Sequence, residues 1–400
     1  MENYRGLQSE FRHELGRILD YWEKFTIDHQ RGGFYGRMTN DNQVVEGAVK
    51  GCVLNARILW TFSAAYNLTK EERFLRMAER SFDYISAHFL DLAFGGVYWS
   101  VTADGTPEDM KKQIYAIAFT IYGLTEYYQA SLEQEVLDMA IGLYRDIEDN
   151  SYDTVRGGYT EALTYDWMPI ADLRLSNKDA NEKKTMNTHL HVLEAYTTLY
   201  PLWPDETLAE KIRDLLGVFK DHIVDPLTYH LRLFFDEDWT VKSDIVSYGH
   251  DIEASWLLME AAEVLGDQSL LRQVKEMAVK IAKASTEGLN PDGSMNYELE
   301  GTHLIAERHW WVQAEAMIGY LNAWQLTGEM SFFRQFGAVW EYTKKCIIDG
   351  EKGEWFWGRT PGGSIMPGQD KVGFWKCPYH NSRACIEVIR RLEEKNHRTL

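Results

Sequence analysis

MNTHLHVLEAY, residues 186–196, is an apolar helix-forming stretch with polar side chains gathered near its start, and five further stretches share its character. They are GCVLNARILW (51–60), KKQIYAIAFTIYG (111–123), YGHDIEASW (248–256), HWWVQAEAMIGY (309–320) and CPYHNSRACIEV (377–388). Recurrence at roughly 60 to 70 residues marks a repeat architecture. Between these stretches run amphipathic ones with charged outer faces, over 6–28, 70–89, 132–149, 206–221, 268–284 and 330–347, where apolar residues return every three or four positions.

Short aromatic-rich runs bounded by glycine join each outer stretch to the next inner one. They are GGFYGRMTNDNQ (32–43), GGVYWSVTADGTP (95–107), GGYTEALTYDW (157–167), YHLRLFFDEDW (229–239), GSMNYELEG (293–301) and GEWFWGRTPGG (353–363). Alternating character plus turn residues predicts small hairpins. A unit of outer helix, hairpin and inner helix, used six times, predicts an all-α fold: an (α/α)6 barrel, or toroid, with short β-hairpins at one rim. An irregular helical bundle has no reason to place a hairpin at the same point of every unit. No linker or low-complexity tract interrupts the chain, so residues 1–400 read as a single barrel domain.

Composition narrows the chemistry. Acidic residues outnumber basic ones, 61 to 42, and the formal charge of −19 repels nucleic acid and anionic membrane surfaces. A neutral small molecule fits better. The start, MENYRGLQSEFRHEL, has no basic segment followed by an apolar one, and no long apolar run occurs, which predicts a cytoplasmic protein without a membrane span. Cys52, Cys346, Cys377 and Cys385 form no CxxC pair and read as reduced thiols. With 14 Trp, 22 Tyr and 17 Phe, the chain can line a cup with flat apolar faces of the kind that stack on sugar rings. A monomer or weak homodimer is expected.

The inner stretches carry the candidate chemistry. His250 and Glu253 lie three apart on one helix face, so the carboxylate could tune the imidazole for acid/base work. Asn187 and His191 share a face four apart, whereas His189 points away from His191, so one of these two histidines can look into the cup. Two histidines separated by one residue converge poorly on a helix, and no HExxH or clustered Cys/His spacing occurs; no metal and no cofactor are expected. His380 follows Pro378 near a helix start, where the dipole resists protonation, with Arg383 three residues on and Trp375 upstream. Trp310 and Trp311 cannot both face inward, so one is free to stack on a ligand; Glu315 shares the face of Trp311. Arg57, on an apolar helix, needs a carboxylate or a substrate oxygen, and Tyr115 is the matching polar tip on the next inner helix. Singly, each of these is more often a satisfied core residue; at equivalent points of six units they read as one site.

MNTHLHVLEAY, SYGHDIEASWLL, WWVQAEA and KCPYHNSRACIE resemble the signatures of the N-acylglucosamine 2-epimerase superfamily, and the similarity runs over nearly the full length. It is strongest to the branch acting on β-1,4-linked disaccharides. The resemblance implies reversible inversion at C2 of the reducing-end sugar through an enediolate, with His250 and His380 as the acid/base pair and His191 assisting ring opening. It further implies that Glu253 sets the state of His250, that Arg57, Tyr115 and Asn187 bind the charged oxygens, and that Trp311 and Trp375 stack on the rings. Asp179 and Trp239 fall in loops that could reach the distal sugar. An aldose–ketose isomerase or an N-acylglucosamine epimerase of the same superfamily is the near alternative. A glycoside hydrolase on this barrel would need two separated carboxylic acids, for which Glu194, Glu253 and Glu315 are candidates. A non-catalytic sugar-binding protein would keep the tryptophans without needing three histidines.

Overall fold

The computed structural model of the chain describes residues 2–398. Twelve α-helices alternate between an outer and an inner ring among these residues. The outer helices are α1 (Glu2–Phe25), α3 (Glu72–His88), α5 (Gln134–Asn150), α7 (Glu206–Val218), α9 (Gln268–Ala284) and α11 (Met330–Tyr342). The inner ones are α2 (Cys52–Thr69), α4 (Ile114–Ser131), α6 (Met186–Leu199), α8 (Tyr248–Leu265), α10 (Trp310–Thr327) and α12 (Tyr379–Arg398).

Inner helices pack side by side in chain order, α2 on α4, α4 on α6, α6 on α8, α8 on α10 and α10 on α12; α12 then returns to α2 and closes the ring. This is the (α/α)6 barrel. Each outer helix lies against the inner helix that precedes it, and α1 lies against α12, so the two ends of the chain complete the last pair. The sequence pattern accounts for both rings. The first thirteen or more residues of α2 and α4 are buried without a break, as suits helices covered on every side, whereas α3 and α9 bury only a stripe and leave charged faces to water.

Hairpins mark one rim, as the glycine-bounded runs predict. Six equivalent antiparallel bridges, Ile27–Phe34, Leu90–Val97, Tyr152–Tyr159, Val224–Leu231, Leu289–Met295 and Ile348–Trp355, follow the six outer helices. The two residues before each of α2, α4, α6 and α10 pair with a strand from the next unit: Lys50–Gly51 with Ser100–Val101, Lys112–Gln113 with Ala162–Leu163, Lys184–Thr185 with Phe234–Phe235, and Arg308–His309 with Gly358–Arg359. Before α8, Ile245–Ser247 joins Glu298–Glu300, which also pairs with His303–Ile305. A Met38–Val372 bridge ties the first unit to the last. The hairpin ring thus closes as the helix ring does.

Buried ion pairs hold these corners. Directly after four of the bridges, Asp28, Asp91, Asp153 and Asp349 each accept two backbone N–H groups of the turn on one carboxylate oxygen. The other oxygen pairs with a buried lysine: Lys50 at 3.0 Å, Lys112 at 2.6 Å, Lys184 at 2.9 Å and Lys371 at 2.5 Å. Asp225 takes Arg232 instead, and Asn290 stands at the fifth corner. A buried pair broken on one side leaves an uncompensated charge, at a cost of about 3–5 kcal/mol, against about 1 kcal/mol or less for an exposed pair. Lys112→Met should therefore shift the urea midpoint far more than Lys280→Met at the exposed Glu276 pair. Equal shifts would remove the corner role.

Candidate active site

Side chains from the hairpin end of the inner helices meet at the barrel axis. An α-helix stacks its second and sixth residues on one face. The second residues of α4, α6, α8, α10 and α12 are Tyr115, Asn187, Gly249, Trp311 and His380, and the sixth residues of α2, α6, α8 and α10 are Arg57, His191, Glu253 and Glu315. The register of the repeat therefore brings seven of the ten expected site residues to one face; His250 is the third residue of α8, and Asp179 and Trp375 lie in the segments before α6 and α12.

Two histidines are anchored by carboxylates. His191 Nδ1 lies 2.8 Å from Glu194 Oε2, and His380 Nδ1 lies 2.6 Å from Glu315 Oε1. An ionised carboxylate accepts, so each ring donates from Nδ1 and presents the Nε2 lone pair to the axis. His250 is held differently, with its Nδ1 2.8 Å from the Ser247 hydroxyl oxygen. Burial lowers all three imidazoles. For His250 burial, with His191 beside it, brings the value to about 3; His380 is driven well down by burial and then by Arg57 and Arg383; for His191 burial outweighs the opposing pull of Glu194. All three are neutral bases near pH 7. The resistance of His380 to protonation is as anticipated, but its leading causes are burial and two guanidinium groups rather than the helix dipole.

Beneath them lies an ion cluster. The Arg383 guanidinium, 1% exposed, donates from Nη1 to Glu194 and the Tyr379 hydroxyl, and from Nη2 to Glu253 Oε1 at 2.6 Å and Glu315 Oε1 at 2.8 Å. Burial would raise Glu194, but Arg383, His191 and Tyr379 outweigh it and lower the carboxyl to about 2. Glu253 moves the other way, well above the usual range, through burial and the charge of Glu315. Donor atoms of Glu253, Glu315 and His380 lie within 4.8 Å of one another, and the cation that serves both carboxylates is Arg383 itself.

Two expectations are corrected here. Glu253 does not tune His250: its carboxylate is turned to Arg383, and Ser247, one residue ahead of the helix, takes the position against the imidazole. Trp239 does not face a ligand. Its ring is stacked on His222 at 4.7 Å, edges onto His189 and Phe235, and donates to the Arg156 carbonyl, which fixes it inside a hairpin. His189 is the structural member of its pair: Nε2 accepts the Tyr159 N–H at 2.9 Å and Nδ1 donates to the Thr185 carbonyl at 2.7 Å. Asp251 and Gln313, at the same fourth position of α8 and α10, accept the N–H of Leu231 and Met295 in the same way. A polar fourth residue thus staples the preceding hairpin in three successive units, those of α6, α8 and α10.

Arg57 donates to the Tyr115 hydroxyl at 2.7 Å and lies over the Phe119 ring, with its Nε buried and unpartnered; no carboxylate pairs with it. The Asn187 carbonyl oxygen is likewise buried without a partner. Trp311 is half-buried and lies against two of the histidines, 4.7 Å from His250 and 5.8 Å from His380 between ring centroids. Gly249 permits this, since a Cβ there would stand 2.6 Å from the Trp311 ring. Trp310 is the packing partner, buried at 4.6 Å from Trp357. Trp375 is half-buried beside Trp99, Phe374 and Tyr115. Asp179, in the loop before α6, accepts from the Ser176 N–H and hydroxyl through Oδ2, so one carboxylate oxygen is committed to the loop itself.

The family model for N-acylglucosamine 2-epimerase (GlcNAc 2-epimerase) matches residues 32–382. A cellobiose 2-epimerase of Bacteroides fragilis is 51% identical over 96% of this chain and 98% of its own. The chain belongs to the N-acylglucosamine 2-epimerase family. Among solved structures, cellobiose 2-epimerase from Bacillus thermoamylovorans B4167 is 39% identical with a TM-score of 0.93, covering 97% of this chain and 100% of that one. The one from Spirochaeta thermophila DSM 6192 is 37% identical with a TM-score of 0.93, covering 99% of each.

As a member of this epimerase family, the chain has its carboxylates in a telling place. Glu194, Glu253 and Glu315 all converge on Arg383, whereas a glycosidase needs two acids standing apart across a bond. The residues that sequence reading missed are Ser247 and Tyr379, together with the role of Arg383. For Arg383 a signal existed, an arginine on an apolar helix like Arg57. Replacing the axial His191 by Asn should cut kcat by about 100-fold or more, while His189→Asn should lower stability and leave kcat within about threefold. A reversed ranking in steady-state kinetics and thermal unfolding would exchange the two assignments.

Proposed function

We propose that this chain, acting as one catalytic domain over residues 1–400, reversibly inverts C2 of the reducing-end glucose or mannose of β-1,4-linked disaccharides such as cellobiose, lactose and mannobiose. The observation that carries the reading is the set of three neighbouring neutral imidazoles, His191 and His380 buried and locked by carboxylates and His250 half-buried and held by a serine, in a chain 51% identical to a cellobiose 2-epimerase.

The chemistry asks for the parts in this order. The pyranose opens by moving a proton from the anomeric hydroxyl to the ring oxygen, a step suited to His191. The aldehyde acidifies the C2 proton, and the His380 Nε2 lone pair removes it. Negative charge builds on the C1 and C2 oxygens of the enediolate, where Arg57, with its unpartnered Nε, the Tyr115 hydroxyl and the Asn187 side chain can bind; fixed dipoles there favour the intermediate over the starting sugar. C2 is then protonated on the opposite face through His250, which hands on its ring proton as it takes one from water, while the His380 imidazolium gives its proton to water, so both rings end as neutral as they began. The serine partner suits that role, because a hydroxyl can donate or accept and so tolerates both tautomers of His250. In the reverse direction the two histidines exchange duties. Trp311 and Trp375 hold the rings, and the free carboxylate oxygen of Asp179 serves the distal sugar. Among the described residues no helix is long and apolar enough to cross a membrane; we place the enzyme in the cytoplasm as a monomer or weak homodimer, without metal or cofactor.

Incubation with cellobiose in deuterated water should give glucosyl-mannose carrying deuterium at C2. A ketose, free monosaccharides or no reaction would each overturn the proposal. His250→Ala and His380→Ala should each lower kcat by about 10²–10⁴-fold with the fold intact by circular dichroism. Because the imidazoles are lowered below their ordinary 6.5, the base form survives as pH falls. The acid limb of kcat/KM should therefore lie clearly below pH 6.5, and a limb at or above that value would contradict a buried neutral base.

A further inference from the structure

We propose that Arg383 is a positioning residue that joins the two carboxylate-anchored histidines into one unit, holding His191 and His380 together as Nδ1–H tautomers whose Nε2 atoms face the substrate. Its link to turnover rests on the epimerase reading above, but the geometry does not. One end of the guanidinium donates to Glu194, whose other oxygen holds His191; the other end donates to the same Glu315 oxygen that holds His380. Two imidazoles on α6 and α12 are thereby connected through a single planar group. The guanidinium cannot swing away, because it lies against the Trp256 ring at 4.8 Å and the Tyr379 ring at 4.2 Å.

Charge accounting explains the need for it. A carboxylate accepts Nδ1–H well only when ionised, and an ionised carboxylate this deeply buried requires a cation. From α6, Glu194 and His191 face Arg383; from α8, Glu253 with Glu260 farther off; from α10, Glu315. Tyr122 on α4 and Tyr379 and His380 on α12 complete the surround, and Arg57 on α2 is the second cation. Among the described residues Arg57 makes no ion pair; it meets the Tyr115 hydroxyl, the Cys377 thiol and aromatic faces. Arg383 is therefore the cation hydrogen-bonded to all three carboxyls; Glu194 is lowered beside it, while burial raises Glu253 and Glu315 against its pull. An ammonium could supply the charge but not the span: only a fork reaches Glu194 on one side and Glu253 and Glu315 on the other.

The test uses the full chain labelled with ¹⁵N-histidine, with His191→Asn and His380→Asn spectra for assignment. Long-range ¹H–¹⁵N spectra of the wild type at pH 7 should show both rings as neutral Nδ1–H tautomers. Arg383→Lys should lower kcat on cellobiose at least about 100-fold with KM within about threefold, because the stacking tryptophans are untouched. The acid limb of its kcat/KM profile should move to higher pH, since an ammonium that reaches one side only leaves the other histidine–carboxylate pair without its cation and readier to bind a proton. Nε2–H tautomers in the wild type would overturn the proposal, as would an Arg383→Lys enzyme with wild-type kcat and pH profile, or one that is slow while its tautomers and acid limb are unchanged. The wild-type spectra decide the tautomers even if the variant does not fold. Failure of the wild type to epimerise cellobiose would strike the functional reading and leave the spectroscopic result standing.

Discussion

A buried charge must find its opposite, and this barrel is organised around that constraint at two radii. At the rim, buried lysines close onto aspartates that also terminate hairpin turns, so the same carboxylate that ends an outer unit fixes the strand leading into an inner helix. At the axis, Arg383 gathers carboxylates from three different inner helices. The helices between these two sets are apolar on all sides and carry little to define their rotation or height. Directional ion pairs at either end supply that definition, and a site built on second and sixth residues depends on it.

Much of the fold was legible because the repeat writes it six times. Outer stretches read as 70–89, 132–149 and 268–284 correspond to α3, α5 and α9 within a few residues, since a charged face alternating with an apolar stripe survives in the letters. The first outer stretch was placed too late, at 6–28 rather than Glu2–Phe25, because the bridge between Ile27 and Phe34 takes residues whose local pattern still looks helical. The partner of each strand was not legible at all. Pairing of Lys50–Gly51 with Ser100–Val101 joins one unit to the next, and nothing within a two-residue strand names its neighbour.

The site divides along the same line. Helical spacing separates His191 from His189 in the sequence, and the structure turns one to the axis and the other onto a hairpin N–H. The same spacing suggested Glu253 as partner to His250, and there it misled. Two residues three apart share a face, yet which of them touch depends on what else reaches that face. Arg383 arrives from α12 and takes the carboxylate, leaving the imidazole to a serine outside the helix. Contacts between units are set by the closure of the ring, which a reading of single stretches does not contain.

The choice of serine for one histidine and carboxylates for the other two follows from what epimerisation demands. A base that takes a proton from carbon gains from a carboxylate behind it, because the imidazolium formed is stabilised where it appears. In the proposed reversible reaction each ring serves in turn as base and as acid, and a hydroxyl that can donate or accept lets His250 do both without an anion behind it. Carboxylates near Arg383 are therefore kept behind imidazoles rather than in front of substrate, and His250 is kept away from them.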